Sequence, residues 1–115
     1  MEFSQLDEFS KELKQLLKKY HSLNSDLDLL KDYLRLYPQG NPPRIFKISG
    51  LGIKIGIYKV KQFRCQSMKG KGSLSGIRIV YALFEEQPKI EFVEIYYKEK
   101  DDTDCNKERI LRHYS

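Results

Sequence analysis

The stretch Ile57-Tyr58-Lys59-Val60-Lys61-Gln62-Phe63-Arg64-Cys65, then Gln66-Ser67-Met68-Lys69-Gly70-Lys71-Gly72-Ser73-Leu74-Ser75-Gly76, then Ile77-Arg78-Ile79-Val80-Tyr81, decides how the rest of the chain is read. Two segments rich in β-branched and aromatic residues flank a tract of glycine, serine and lysine, the pattern of a β-hairpin with a long loop. Within Tyr58-Lys59-Val60-Lys61 apolar and cationic residues alternate. A period of two puts Tyr58 and Val60 on one face of a strand and both lysines on the other. Arg64 follows on the first strand, and the second adds Arg78. The expectation is a sheet that buries one side and holds a row of cations on the other.

Outward from the hairpin the charge is segregated. Between Tyr33 and Phe84 there are ten basic residues and no Asp or Glu, namely Arg35, Arg44, Lys47, Lys54, Lys59, Lys61, Arg64, Lys69, Lys71 and Arg78. The other 11 basic residues share the flanks with all 16 acidic ones, so the middle carries +10 and the flanks −5. Like charges gathered in one segment repel, which points to a polyanionic partner, nucleic acid being the commonest. The alternative is a solvated basic face without a ligand.

On the N-terminal side, Phe3, Leu6, Phe9, Leu13, Leu16, Leu17 and Tyr20 recur at helical spacing. Ser4 and Asp7 resemble a capping box. Ser22 is placed to cap a second helix with Leu23, Leu27, Leu30, Leu34 and, at its end, Tyr37 on its apolar side, which gives an antiparallel αα-hairpin. Pro38-Gln39-Gly40-Asn41-Pro42-Pro43 ends the helical part.

Beyond it the period changes to two. Strands are expected near 44–48, 57–65, 76–85 and 89–97, with residues 66–76 a flexible hairpin loop and a short terminal helix begun by Asp101–Asp104, its apolar residues Cys105, Ile110 and Leu111. The order predicts an α+β domain over 1–115, an αα-hairpin packed on one face of a four-stranded, mostly antiparallel sheet. Ile77, Ile79, Tyr81 and Leu83 should face the helices, as should Val93, Ile95 and Tyr97. Arg78, Val80, Ala82 and Phe84, with Phe92, Glu94, Tyr96 and Lys98, should line a bare outer face beside Lys59 and Lys61.

Composition excludes several classes. At 115 residues, 40% hydrophobic and 32% charged, the chain can bury one core and is not of disordered composition. No apolar run reaches the roughly 20 residues of a membrane span, and Met1-Glu2-Phe3-Ser4 has no signal-peptide pattern, so a cytoplasmic location is expected. Cys65 and Cys105 are expected as reduced thiols, the alternative being one disulfide that bridges the fold. No Ser/His/Asp set, H-x-x-x-H or paired C-x-x-C occurs, so neither metal nor cofactor is expected. Gly70-Lys71-Gly72-Ser73 lacks the upstream glycine of a P-loop. Asp26 and the neighbouring acids are expected on helix surfaces.

A cationic cluster suits phosphoryl chemistry. Metal-independent RNA cleavage needs a base for the 2′-hydroxyl, positive charge for the phosphorane and an acid for the 5′-oxygen. Lysines and arginines can supply the charge, and a lysine crowded by cations can act as base. Tyr96 or Tyr97 could stack on a nucleobase.

The layout, together with Tyr58-Lys59-Val60-Lys61, Gly76-Ile77-Arg78-Ile79-Val80-Tyr81 and Ile95-Tyr96-Tyr97-Lys98-Glu99-Lys100-Asp101, resembles the RelE/ParE superfamily of bacterial type II toxin–antitoxin toxins, in its RelE/HigB-like branch. The resemblance implies a ribosome-dependent mRNA endoribonuclease that leaves a 2′,3′-cyclic phosphate and is neutralised by a cognate antitoxin protein. It also implies roles. Lys59 would stabilise the transition state, Lys61 would be the base, and Arg78 would contact the scissile phosphate. Lys98 or Lys100 would stand where RNA-cleaving members place an arginine acid. Arg64, Lys69, Lys71, Tyr96 and Lys100 would bind RNA in the ribosomal A site. The alternatives are a ParE-like protein that inhibits DNA gyrase without cutting RNA, and a degenerate member that only binds.

Overall fold

A computed structural model describes residues 1–98 and 104–115. Among them, the chain forms β1 (Glu2–Gln5), α1 (Asp7–Leu17), α2 (Leu23–Leu36), β2 (Ile45–Ile48), β3 (Gly56–Val60), β4 (Ile77–Phe84), β5 (Lys89–Tyr97) and α3 (Lys107–Tyr114). The strands make one sheet in the order β1-β5-β4-β3-β2. The β2/β3, β3/β4 and β4/β5 pairs are antiparallel and β1/β5 is parallel.

The inner face follows the alternation. Ile77, Ile79, Tyr81 and Leu83 of β4 and Tyr58 and Val60 of β3 pack against Phe9 and Leu13 of α1 and Leu23, Leu27, Leu30 and Leu34 of α2. These side chains are buried, and each contributes about 1.5–3 kcal/mol by leaving water. Tyr81 is fully buried, yet its hydroxyl donates to the Pro38 carbonyl at 2.7 Å. An aromatic this large enters the core without an orphaned polar atom.

The structure corrects the expected fold in five places. First, the sheet has five strands, because Phe3 and Ser4 belong to β1 rather than to the first helix. Ser4 therefore caps nothing. Its hydroxyl donates to Glu91, and Leu6 stands at the helix N-cap position. Second, β3 ends at Val60 rather than at residue 65. The Lys61 and Gln62 amides both turn to the Arg44 carbonyl, and Phe63 and Cys65 enter the core.

Third, the β4/β5 register shifts between Val80 and Tyr81: Val80 opposes Glu94, but Tyr81 opposes Phe92. Val93 is the extra residue of a β-bulge, and one extra residue exchanges the faces on either side of it. Phe92 therefore points to the helices, stacked 5.4 Å from Phe9, while Val93 joins the outer face.

Fourth, the outer face is not bare. Ile110 and Tyr114 of α3, with Cys105 just before it, pack on Ile57, Val80, Ala82 and Val93. Fifth, Asp26 is buried rather than on a helix surface. Its carboxylate accepts from the Ser22 hydroxyl at 2.7 Å and from the Gln66 amide at 3.2 Å. Ser22 is the residue before α2 but makes no side-chain cap. It exchanges hydrogen bonds with Ser67 instead, so the helix junction clips the start of the hairpin loop. The far end of that loop is tied by the Ser75 hydroxyl, which donates to the Phe63 carbonyl.

Charge completes the docking of α3. Arg109 forms a two-pronged pair with Glu12 of α1, both N–O distances being 2.9 Å, and donates to the Val93 carbonyl at 2.9 Å. Glu12 also accepts from the Ile95 amide. Beyond Phe92, where β1 stops, this pair takes up edge groups of β5 that a further strand would have satisfied. Cys65 and Cys105 are buried free thiols. No helix among the described residues is long and apolar enough to cross a membrane.

Candidate functional site

The outer face is divided. One half is apolar, centred on Ile57 and Ala82, and lies under α3. The other half carries the candidate cations. Phe46 of β2 opposes Lys59 of β3, which opposes Val80 of β4, which opposes Glu94 of β5, so these four make one row across the sheet. Arg78 and Tyr96 make the next.

Lys61 lies just past the end of β3, its ammonium 4.7 Å from the centre of the Phe46 ring. It therefore shares the face of Lys59. The Arg78 guanidinium donates to the Lys61 carbonyl at 2.8 Å, which ties the two positions together. Lys61 is exposed and Arg78 half-buried, so both reach solvent.

Lys59 differs from these two. Its ammonium donates to Asp104 at 2.8 Å, and its side chain is 17% exposed. The hydrogen bond from Lys59, aided by the Cys105 amide, holds the Asp104 carboxyl down at about 2, against an ordinary 3.8. At neutral pH the Lys59 charge is thus neutralised from within the chain. Lys61 and Arg78 are open to solvent on this face, whereas the Lys59 ammonium is engaged by a carboxylate.

Lys98 continues the ladder past Tyr97. Its amide donates to the Gly76 carbonyl at 2.8 Å, and the alternation places it on the face of Tyr96. Lys100 lies outside the described residues. Tyr96 is half-buried against the outer cluster, and its hydroxyl has no hydrogen-bond partner among the described residues. Burial pushes that phenol upward. It is enclosed rather than presented as a stacking platform. Tyr97 is the more open ring, 38% exposed and 6.3 Å from Tyr20 at the rim of the inner face.

Arg64, Lys69 and Lys71 do not join this face. Arg64 and Lys69 line a groove on the α2 side of the molecule with Leu29 and Met68, and Lys71 is exposed on the same loop. A cavity of about 390 Å³ at the other end of β3 is lined by Lys47, Lys54, Tyr58 and Glu85, among others, and by none of the candidate cations.

Two features of the outer face were not anticipated, the pairing of Asp104 and the burial of Glu94. Asp104 follows an acidic tract that reads only as a helix start, and its partner is 45 positions away, so no local pattern marks the pair. Glu94 is buried, and burial pushes its carboxyl upward. It accepts from the Asn106 amide at 2.8 Å and so fixes the approach to α3. Among the described residues, no group of three or more His, Cys, Asp or Glu side chains is placed to hold a metal.

No family model matches the sequence, and no curated protein does. A solved structure does match in shape: a chain of the "archaeal RelE-RelB complex from Pyrococcus horikoshii OT3", at 15% identity and a TM-score of 0.59. The match covers 86% of this chain and 96% of that one. Identity this low speaks to backbone architecture only, and on that ground the chain has a RelE-like fold.

Proposed function

We propose that this chain is the toxin of a toxin–antitoxin pair and cuts mRNA on the ribosome. The observation that supports this most is the placement of Lys61 and Arg78 together at the open end of one sheet face, with Lys59 in the adjoining row, in a RelE-like fold. Fold alone does not imply activity; the argument rests on the cations. In the proposed reaction Lys61 takes the proton of the 2′-hydroxyl as its oxygen attacks phosphorus. Arg78 and Lys59 neutralise the charge that builds on the phosphorane. The bond to the 5′-oxygen breaks, Lys98 or Lys100 protonates that oxygen, and a 2′,3′-cyclic phosphate remains. Electrostatic stabilisation of this kind is commonly the largest single contribution to such a step. The partners are then mRNA in the ribosomal A site and a cognate antitoxin. The solved structure of similar shape is a complex between RelE and RelB, which supports a protein partner.

The Lys59–Asp104 pair supports a second reading, in which the same fold binds RNA or a partner and cuts nothing. Induced expression of the chain in a bacterial host separates the two. The enzyme reading expects growth arrest and discrete breaks in translated mRNA by primer extension. Binding without cleavage gives intact message. Growth arrest with intact message and inhibited DNA supercoiling would favour the gyrase-directed alternative.

A further inference from the structure

The solvent edge of α2, beside the half-buried Tyr33, carries a second feature. Leu29 is 59% exposed, Leu36 is 74% exposed and Tyr37, just past the helix end, is 53% exposed. With Tyr33 they follow one another at four-, three- and one-residue steps, so they form a stripe along one side of the helix. Scattered exposed apolar residues need no explanation, but a contiguous stripe marks an interaction surface.

Beside the stripe lies a cavity of about 150 Å³ floored by Leu30 and Phe63, both buried, and edged by Leu29, Arg44 and Arg64. Arg44 is steadied by the Tyr33 ring, with its guanidinium carbon 4.0 Å from the ring centre. Asp26 also borders the cavity, but its carboxylate is already engaged by Ser22 and Gln66. Basic character continues past Arg64 into the neighbouring groove, where Lys69 lines the wall.

We propose that this face docks an acidic amphipathic helix of a partner protein, with an apolar side chain in the cavity and Asp or Glu beside it on Arg44 and Arg64. The surface is complementary to that chemistry on both counts. An apolar hole takes an apolar anchor, and arginines on its rim take carboxylates with two-pronged geometry. A nucleic acid strand would use the arginines and could stack on Tyr37, but would leave Leu29 and Leu36 without a counterpart. The surface is also separate from the Lys61–Arg78 end of the outer sheet face. In the toxin reading, on which the partner's biological identity rests, an antitoxin helix is the occupant.

The test is selection of a displayed library of random 16-residue peptides on the full chain, followed by amide-shift mapping with the enriched sequences. The expected peptides carry one apolar anchor with Asp or Glu within a helical turn. They should shift Leu29, Tyr33, Arg44 and Arg64, and bind at least tenfold more weakly to Arg64→Glu and to Leu29→Asp. Lys14→Glu, an exposed change of equal charge on α1, should leave their affinity as it was. Peptides without acidic residues, or affinity unchanged by Arg64→Glu, would overturn the proposal. So would a 12-nucleotide RNA that shifts the same amides and binds them more tightly than the peptides. Binding is read here without ribosomes or cleavage, so its failure is distinct from a failure to cut RNA.

Discussion

The two faces of the sheet are made of alternate residues of the same strands, yet they are covered in different ways. The inner face meets α1 and α2 through apolar side chains, among them Phe9, Leu13, Leu23 and Leu30 against Ile77, Ile79 and Tyr81. The outer face is half apolar, under α3, and half cationic. There α3 is held by Ile110 and Tyr114 together with a charged network that reaches round to α1. Apolar packing is non-directional. A charged half-face, bordered by a helix that carries acids at its approach, can exchange one anion for another. The inner face is closed by packing, whereas part of the outer face keeps charged side chains within reach of solvent.

Substitution should separate the two. The largest loss of stability is expected at Ile79→Ala on the inner face, about 2–5 kcal/mol for a fully buried aliphatic residue. Urea unfolding would read it, and Lys61→Ala should leave the midpoint where it is. Arg109→Ala comes next. It strands Glu12 and the Val93 carbonyl, and removing one partner of a mostly buried pair costs about 3 kcal/mol. Since Glu12 retains some exposure, the loss should fall at or below that figure.

Gly76→Ala should cost about 1–2 kcal/mol from backbone strain alone. Gly76 has a φ of +84°, and an added methyl would stand 2.9 Å from the Tyr97 ring. The loss should appear as a lower melting temperature and as altered aromatic resonances at Tyr97.

The smallest effect belongs to Asp104. Its folded carboxyl lies below the ordinary 3.8, so the pairing with Lys59 contributes fully above that value and is lost as pH falls through about 2. Carboxyl NMR should find that midpoint, and Lys59→Ala should return it toward 3.8. A midpoint near 3.8 in the unaltered chain would show that Lys59 is free and that the outer face is more open than described.

Much of this was legible in the sequence. The change of period at Pro38 separates helices from sheet, and the alternation in 77–83 assigns the inner face correctly. What escaped was set by tertiary contact. Glu2–Gln5 is too short to show a period of its own, and Phe3 also fits the helical spacing of the residues after it. The bulge at Val93 leaves no mark in a run of apolar and acidic residues, yet it exchanges Phe92 and Val93 between faces. Tyr114 anchors α3 on the sheet, with its hydroxyl 2.6 Å from Glu91, but one aromatic near a chain end does not reveal what it covers. As for the candidate site, the shared face of Lys59, Lys61 and Arg78 follows from the period of two. The neutralisation of Lys59 depends on Asp104, which the topology, not the local sequence, brings near.

The most direct test of the proposed activity is to incubate the purified chain with programmed ribosomes and a defined mRNA. The account predicts cleavage at discrete positions, a 2′,3′-cyclic phosphate at each new end, and a fall of about 10²-fold or more in the cleavage rate for Lys61→Ala, the usual scale for loss of a general base. Arg78→Ala should reduce both cleavage and ribosome binding. Intact mRNA, or cleavage by both variants at the rate of the unaltered chain, would contradict it.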